Sequence, residues 1–104
     1  MFSTNDELIA YSKQNPSKLI VMDFNAAWCG PCKAVKPFLL YLKENYPNID
    51  FIEIDIEDTN TASITEFFDI SKVPTFIYFK NGKICHKVLG TNKDTIENAI
   101  NDNI

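Results

Sequence analysis

No run of the chain approaches the roughly 18 consecutive apolar residues that a membrane-crossing helix requires. Basic side chains are in deficit as well: 10 lysines and arginines against 14 acids leave a net charge of −4. That balance excludes the basic footprint of nucleic-acid binding and attraction to an anionic membrane. Internal repeats, low-complexity tracts and linker-like stretches are missing, so the 104 residues read as a single domain, 1–104, with room for one core and not two. The opening residues, MFSTNDELIAYSK, lack the basic start and apolar middle of a secretory leader. The one sequon-like triplet, Asn15-Pro16-Ser17, is blocked by its proline. A cytoplasmic, reducing location is therefore expected. Three cysteines are an odd number and too few for a disulfide framework. In a reducing compartment a CxxC is more often catalytic or metal-binding than structural.

What is present is strong periodicity. Ser3 and Thr4, with Asp6 and Glu7 three residues on, offer overlapping capping boxes for a helix over Asn5–Gln14, which Pro16 stops. Lys18–Asn25 is nearly continuous in apolar character, the pattern of a parallel strand covered on both faces, yet it carries Asp23 at its centre. From Pro31 the period changes. Val35, Phe38, Leu39, Leu42 and Tyr46 form a helical stripe, which Pro37 should kink. Ile49–Ile56 is a second strand, and a strand–helix–strand order makes the two strands parallel. Ile64, Phe67 and Phe68 mark a third helix begun near Thr59 or Asn60. TFIYFKNGKICHKVLG reads as a hairpin about Asn81-Gly82. Thr91 with Asp94 opens a last helix whose Ile96, Ala99, Ile100 and Ile104 should be buried. The order αβαβαββα implies an α/β fold, a central mixed sheet with helices on both faces.

On this frame Cys29 lies in the loop at the C-terminal end of a parallel strand, where open α/β sheets carry their sites. It also lies at the start of the next helix, where unpaired N–H groups and the helix dipole favour an anion. A free thiol titrates near about 8.5 and is only a few per cent ionised at pH 7; lowering that value by ~1.5 makes it half thiolate. Cys32 follows on the same helical face, placed to attack a mixed disulfide formed at Cys29. Gly30 permits close approach, and Pro31 stiffens the spacing. Zinc is the first rival, but one CxxC supplies two of four ligands. Cys85 and His86, neighbours on a strand, should point to opposite faces and so complete no site. A purely structural disulfide is the second rival, weakened because the loop it closes is too small to stabilise much.

MDFNAAWCGPCKAVKP, KVPTFIYFKNGK and LGTNKDTIENAI together resemble the thioredoxin family, in order and over essentially the whole chain. The resemblance implies the thioredoxin fold and a dithiol–disulfide oxidoreductase that reduces disulfides in client proteins and is recharged by a thioredoxin reductase. It implies no cofactor and no metal, and the Gly-Pro between the cysteines favours the reducing branch. It makes Cys29 the nucleophile, Cys32 the resolving thiol and Cys29–Cys32 the redox disulfide. Asp23 becomes the buried acid that takes the Cys32 proton, with Lys36, one turn after Cys32, as the cation that tunes it. Apart from the resemblance, Asp23 also fits a strand-end acid bonded to backbone, and Pro74 an ordinary strand-start proline. With it, Val73-Pro74 becomes a cis-proline turn that pairs with substrate backbone, while Trp28, Gly30, Pro31 and Gly90 complete a shallow docking surface. A monomer is expected, with an additional role as a docking subunit left open.

Three features depart from the family pattern. Asn25 stands where bacterial members carry tryptophan, Glu53 stands where many carry lysine, and an N-terminal strand has little room. Cys85 is expected to be a buried, passive thiol and His86 to be solvated. Asp55, Glu57 and Asp58 read as a solvated strand end.

Overall fold

The computed structural model describes residues 2–104. Thr4 caps the first helix, α1 (Asn5–Gln14), its hydroxyl oxygen accepting from the Glu7 N–H at 3.2 Å. The Glu7 carboxylate reaches back to the Ser3 N–H at 3.4 Å, so one capping box spans both candidate residues. Among the described residues no strand precedes α1. The chain then enters β1 (Ile20–Asn25), all but its last residue buried, as continuous apolar character demands.

Residues 30–45 form two helices rather than one kinked rod: α2 (Gly30–Ala34) and α3 (Lys36–Asn45), joined at Val35 with φ −85° and ψ −11°. The break falls two residues before Pro37. Proline has no N–H for the Lys33 carbonyl, and its ring crowds that oxygen, so Pro37 sits in the first turn of a restarted helix. After α3 come β2 (Asp50–Asp55), a 3-10 turn (Thr59–Thr61), α4 (Ala62–Phe67), β3 (Thr75–Lys80), β4 (Lys83–Leu89) and α5 (Lys93–Asn103).

The sheet order is β2-β1-β3-β4. β1 and β2 are parallel, while β3 runs antiparallel to both β1 and β4, which makes the sheet mixed. Alternation along β1 divides the core. Leu19 and Val21 pack with Leu39 and Leu42 of α3 and Ile96 and Ile100 of α5. Ile20, Met22 and Phe24 pack on the other face with Leu8 of α1 and Ile64 of α4. Asp23 falls on the α3 face by the same alternation. Phe68, just past α4, is buried and sets its ring edge against Phe24 and Phe79, whereas Phe67 is half exposed.

The β3–β4 turn uses Asn81 at φ 51° and Gly82 at φ 74°, the left-handed pair of a two-residue hairpin. A Cβ on Gly82 would also lie 2.8 Å from Cε of Lys13. The Gly82 N–H donates to the buried Ser12 hydroxyl at 2.9 Å, fastening the turn to α1.

Three expectations are corrected here. Cys85 is exposed, not buried, because the β3–β4 register shifts: Tyr78 faces His86 while Phe79 faces Ile84, leaving Cys85 as the extra residue of a bulge on an edge strand. His86 is exposed as expected, its ring against Tyr78 at 5.8 Å. The cap of α5 is Asn92, whose side-chain oxygen accepts from the Thr95 N–H at 2.9 Å, rather than Thr91. Ile104 is 68% exposed, since α5 ends at Asn103 and no element lies over the last residue.

Candidate active site

β1 ends at Asn25, where the chain turns through Ala26-Ala27-Trp28 into the helix-starting Gly30-Pro31. This drops Cys29 at the N-cap of α2, where its Sγ accepts the Cys32 N–H at 3.1 Å. A second bond, from the Cys29 N–H to the Ala26 carbonyl at 3.1 Å, holds the loop's return. Cys29 and Cys32 are joined by a disulfide with their Cα atoms 5.3 Å apart. Both are nearly buried, packed with Ala26, Ile56 and Val73. The N–H aimed at Cys29 Sγ is the local feature that favours a negative sulfur there once the bond is reduced. Among the described residues no group of three or more His, Cys, Asp or Glu side chains is arranged to hold a metal, and Cys85 lies on β4, away from the pair.

The flanking candidates converge on the cysteines. Val73 joins Pro74 through a cis peptide and packs against the disulfide cluster. Gly90 has φ 94°, and its N–H donates to the Pro74 carbonyl at 3.1 Å, so the loop after β4 is tied to the proline turn. Gly30 is exposed, with no atom within 4 Å of where a Cβ would stand, which leaves the approach to Cys29 open. Trp28 is 66% exposed. Its indole N–H donates to the Glu57 carboxylate at 3.1 Å, which corrects the expectation that Asp55, Glu57 and Asp58 are merely solvated. Asp55 accepts from the Glu57 N–H at 2.9 Å, and Asp58 caps the 3-10 turn by accepting from the Asn60 N–H at 2.9 Å.

Asp23 lies behind this surface, 5% exposed, with its Oδ1 buried and without a hydrogen-bond partner. Burial pushes its carboxyl up to about 6, and the Glu53 carboxylate adds to that rise. The Asn25 side chain and the ammonium groups of Lys36 and Lys43 pull part of it back. A buried acid poised near neutrality can take and return a proton at physiological pH. The Lys36 ammonium is thus near enough to Asp23 to favour its ionised form. Lys36 also lines, with Cys32, Asn25 and Asp55, a pocket of about 170 Å³. Lys43 was not anticipated, although its i+7 spacing from Lys36 was a usable signal. The Trp28–Glu57 contact joins residues 29 apart and carried no local signal.

A family model described as thioredoxin matches residues 3–102. The chain belongs to the thioredoxin family. It is 46% identical over 84 residues to a thioredoxin of Ophiophagus hannah, covering 81% of this chain and 78% of that one. To thioredoxin of Homo sapiens it is 41% identical over 85 residues, covering 82% and 79%. The solved thioredoxin of Fasciola hepatica superposes with a TM-score of 0.87 at 27% identity, covering 98% of this chain and 96% of that one. With the redox pair in place at the helix mouth, the thioredoxin domain seen here is a protein-disulfide oxidoreductase, and clients bearing disulfides and a reductase partner fit that activity.

Proposed function

We propose that the chain reduces disulfides of client proteins as a cytoplasmic monomer, with Cys29 attacking, Cys32 resolving and Asp23 accepting the proton. The observation that carries the reading is the Cys32 N–H aimed at Cys29 Sγ at 3.1 Å, which supports negative charge on the first sulfur and not on the second. In the reduced protein the Cys29 thiolate attacks one sulfur of a client disulfide. A bond forms between Cys29 and that sulfur, and the other client sulfur leaves as a thiolate. Cys32 then gives its proton to Asp23 and attacks Cys29 Sγ. The bond to the client breaks, the client leaves with both thiols reduced, and the chain is left with the Cys29–Cys32 disulfide. Two electrons from a thioredoxin reductase return it to the dithiol.

The cis Val73-Pro74 turn offers the Val73 backbone to a client segment in strand fashion. Trp28, Gly30, Pro31 and Gly90 supply a shallow, mostly uncharged surround suited to varied clients. Lys36 tunes Asp23.

The test is insulin disulfide reduction with dithiothreitol, run beside Cys29→Ser. The variant should lose essentially all acceleration. Equal rates from the two proteins would overturn the assignment of the nucleophile.

A further inference from the structure

Asp23 does not stand alone in its strand register. Its Cα partner across the parallel β1–β2 ladder is Glu53, so a second carboxylate projects from the neighbouring strand on the same face. Asp23 and Glu53 line one small cavity of about 10 Å³, together with Lys43 of α3. Lys43 Nζ lies 3.9 Å from Glu53 Oε2, both side chains a little under half exposed. The rest of the lining is apolar: Val21, Leu39, Phe51, Ile52 and Phe76. The buried Asp23, its Oδ1 without a hydrogen-bond partner, therefore shares this small space with a half-exposed acid–base pair.

We propose that Glu53 and Lys43 are positioning residues for the proton step, Glu53 holding the proton on Asp23 and Lys43 drawing it off. This rests on the reading of Asp23 as the proton acceptor for Cys32. The charged groups that act on Asp23 are Glu53 from β2 and Lys36 and Lys43 from α3, with the polar Asn25 side chain beside them on β1, while β3 contributes apolar Phe76. Of these, Glu53 alone opposes release of the proton through like charge. Since Glu53 and Lys43 act on Asp23 with opposite sign, neutralising each has opposite consequences, a signature that loss of packing would not reproduce. Their exposure means that neither change should unfold the chain.

The experiment follows the Asp23 carboxyl ¹³C shift against pH in the oxidised protein, in wild type, Glu53→Gln and Lys43→Gln. The midpoint should fall by about half a pH unit in the first variant and rise by a similar amount in the second, and Glu53→Asp should restore most of the wild-type value. The low-pH limb of disulfide reduction should move with the midpoint, and Glu53→Gln should leave the profile of Asp23→Asn unmoved. Midpoints that stay still, or that move in the same direction in both variants, overturn the proposal. A pH profile that Asp23→Asn leaves unchanged sinks the proton-acceptor reading instead. Glu53 and Lys43 would then tune a bystander, and their part in the proton step falls with it.

Discussion

The Gly90 N–H donates to the Pro74 carbonyl at 3.1 Å, and this single bond couples the loop after β4 to the turn that faces the dithiol. It forms because Gly90 adopts φ 94°, a backbone region that L side chains rarely enter. Space is not the constraint, for nothing lies within 4 Å of a Cβ built there. Gly90→Ala should therefore cost about 1–2 kcal/mol through backbone strain. Denaturant melts measure that cost, and the Michaelis constant for a protein disulfide should rise while reduction of a small aromatic disulfide is spared. Unaltered stability would show that the conformation is not needed.

Asp23→Asn should stabilise the fold at pH 7. The Asp23 carboxyl is raised from 3.8 to about 6 in the folded chain. Below the lower value it is protonated folded and unfolded, and contributes nothing. As pH rises through the window the unfolded chain releases its proton first, so the wild type loses stability until about pH 6. Beyond that the full penalty applies, about 3 kcal/mol for a shift of this size. Melts at pH 7.5 should favour Asn by roughly 1–3 kcal/mol, and melts at pH 3.5 should show little difference. Turnover should nevertheless slow. A stability gain that persisted at pH 3.5 would point to packing and not to charge.

Glu57→Ala should loosen Trp28. The Trp28–Glu57 contact is made at the surface, so its loss should change stability by less than about 0.5 kcal/mol. Trp28 is the only tryptophan of the chain, which makes steady-state fluorescence anisotropy a direct readout of its freedom. Anisotropy should fall and the Michaelis constant for protein disulfides should rise a few-fold. An unchanged anisotropy would mean that the ring is held by its other neighbours.

Cys85→Ser should leave disulfide reduction intact and shift stability by no more than about 0.5 kcal/mol, as is usual for an exposed side chain. Thiol titration in denaturant should find one free thiol in the oxidised protein, from Cys85, and three after reduction. A second free thiol before reduction would mean that Cys29 and Cys32 are not paired.

The type and order of the elements were written in local patterns, apart from the break at Val35 that makes two helices of the one expected after Pro31. Period-3.6 stripes, the Thr4 cap, the Asn81-Gly82 turn and the buried run of β1 each act within a few residues, and tertiary packing endorsed them. The WCGPC stretch likewise carried its own chemistry, because a helix N-terminus needs only the residues that form it. Other features depended on partners distant in sequence. The bulge that exposes Cys85 arises from how β4 registers on β3, and the half-exposed Phe67 depends on what α4 packs against. Glu57 reached Trp28 only when the chain after β2 folded back beside the dithiol, and Glu53 and Lys43 met Asp23 only when strand register and helix docking were settled. Charges and hydrogen bonds act over a few ångströms of space, whereas local pattern acts over a few residues of chain, and the two coincide only inside a turn or a single helix.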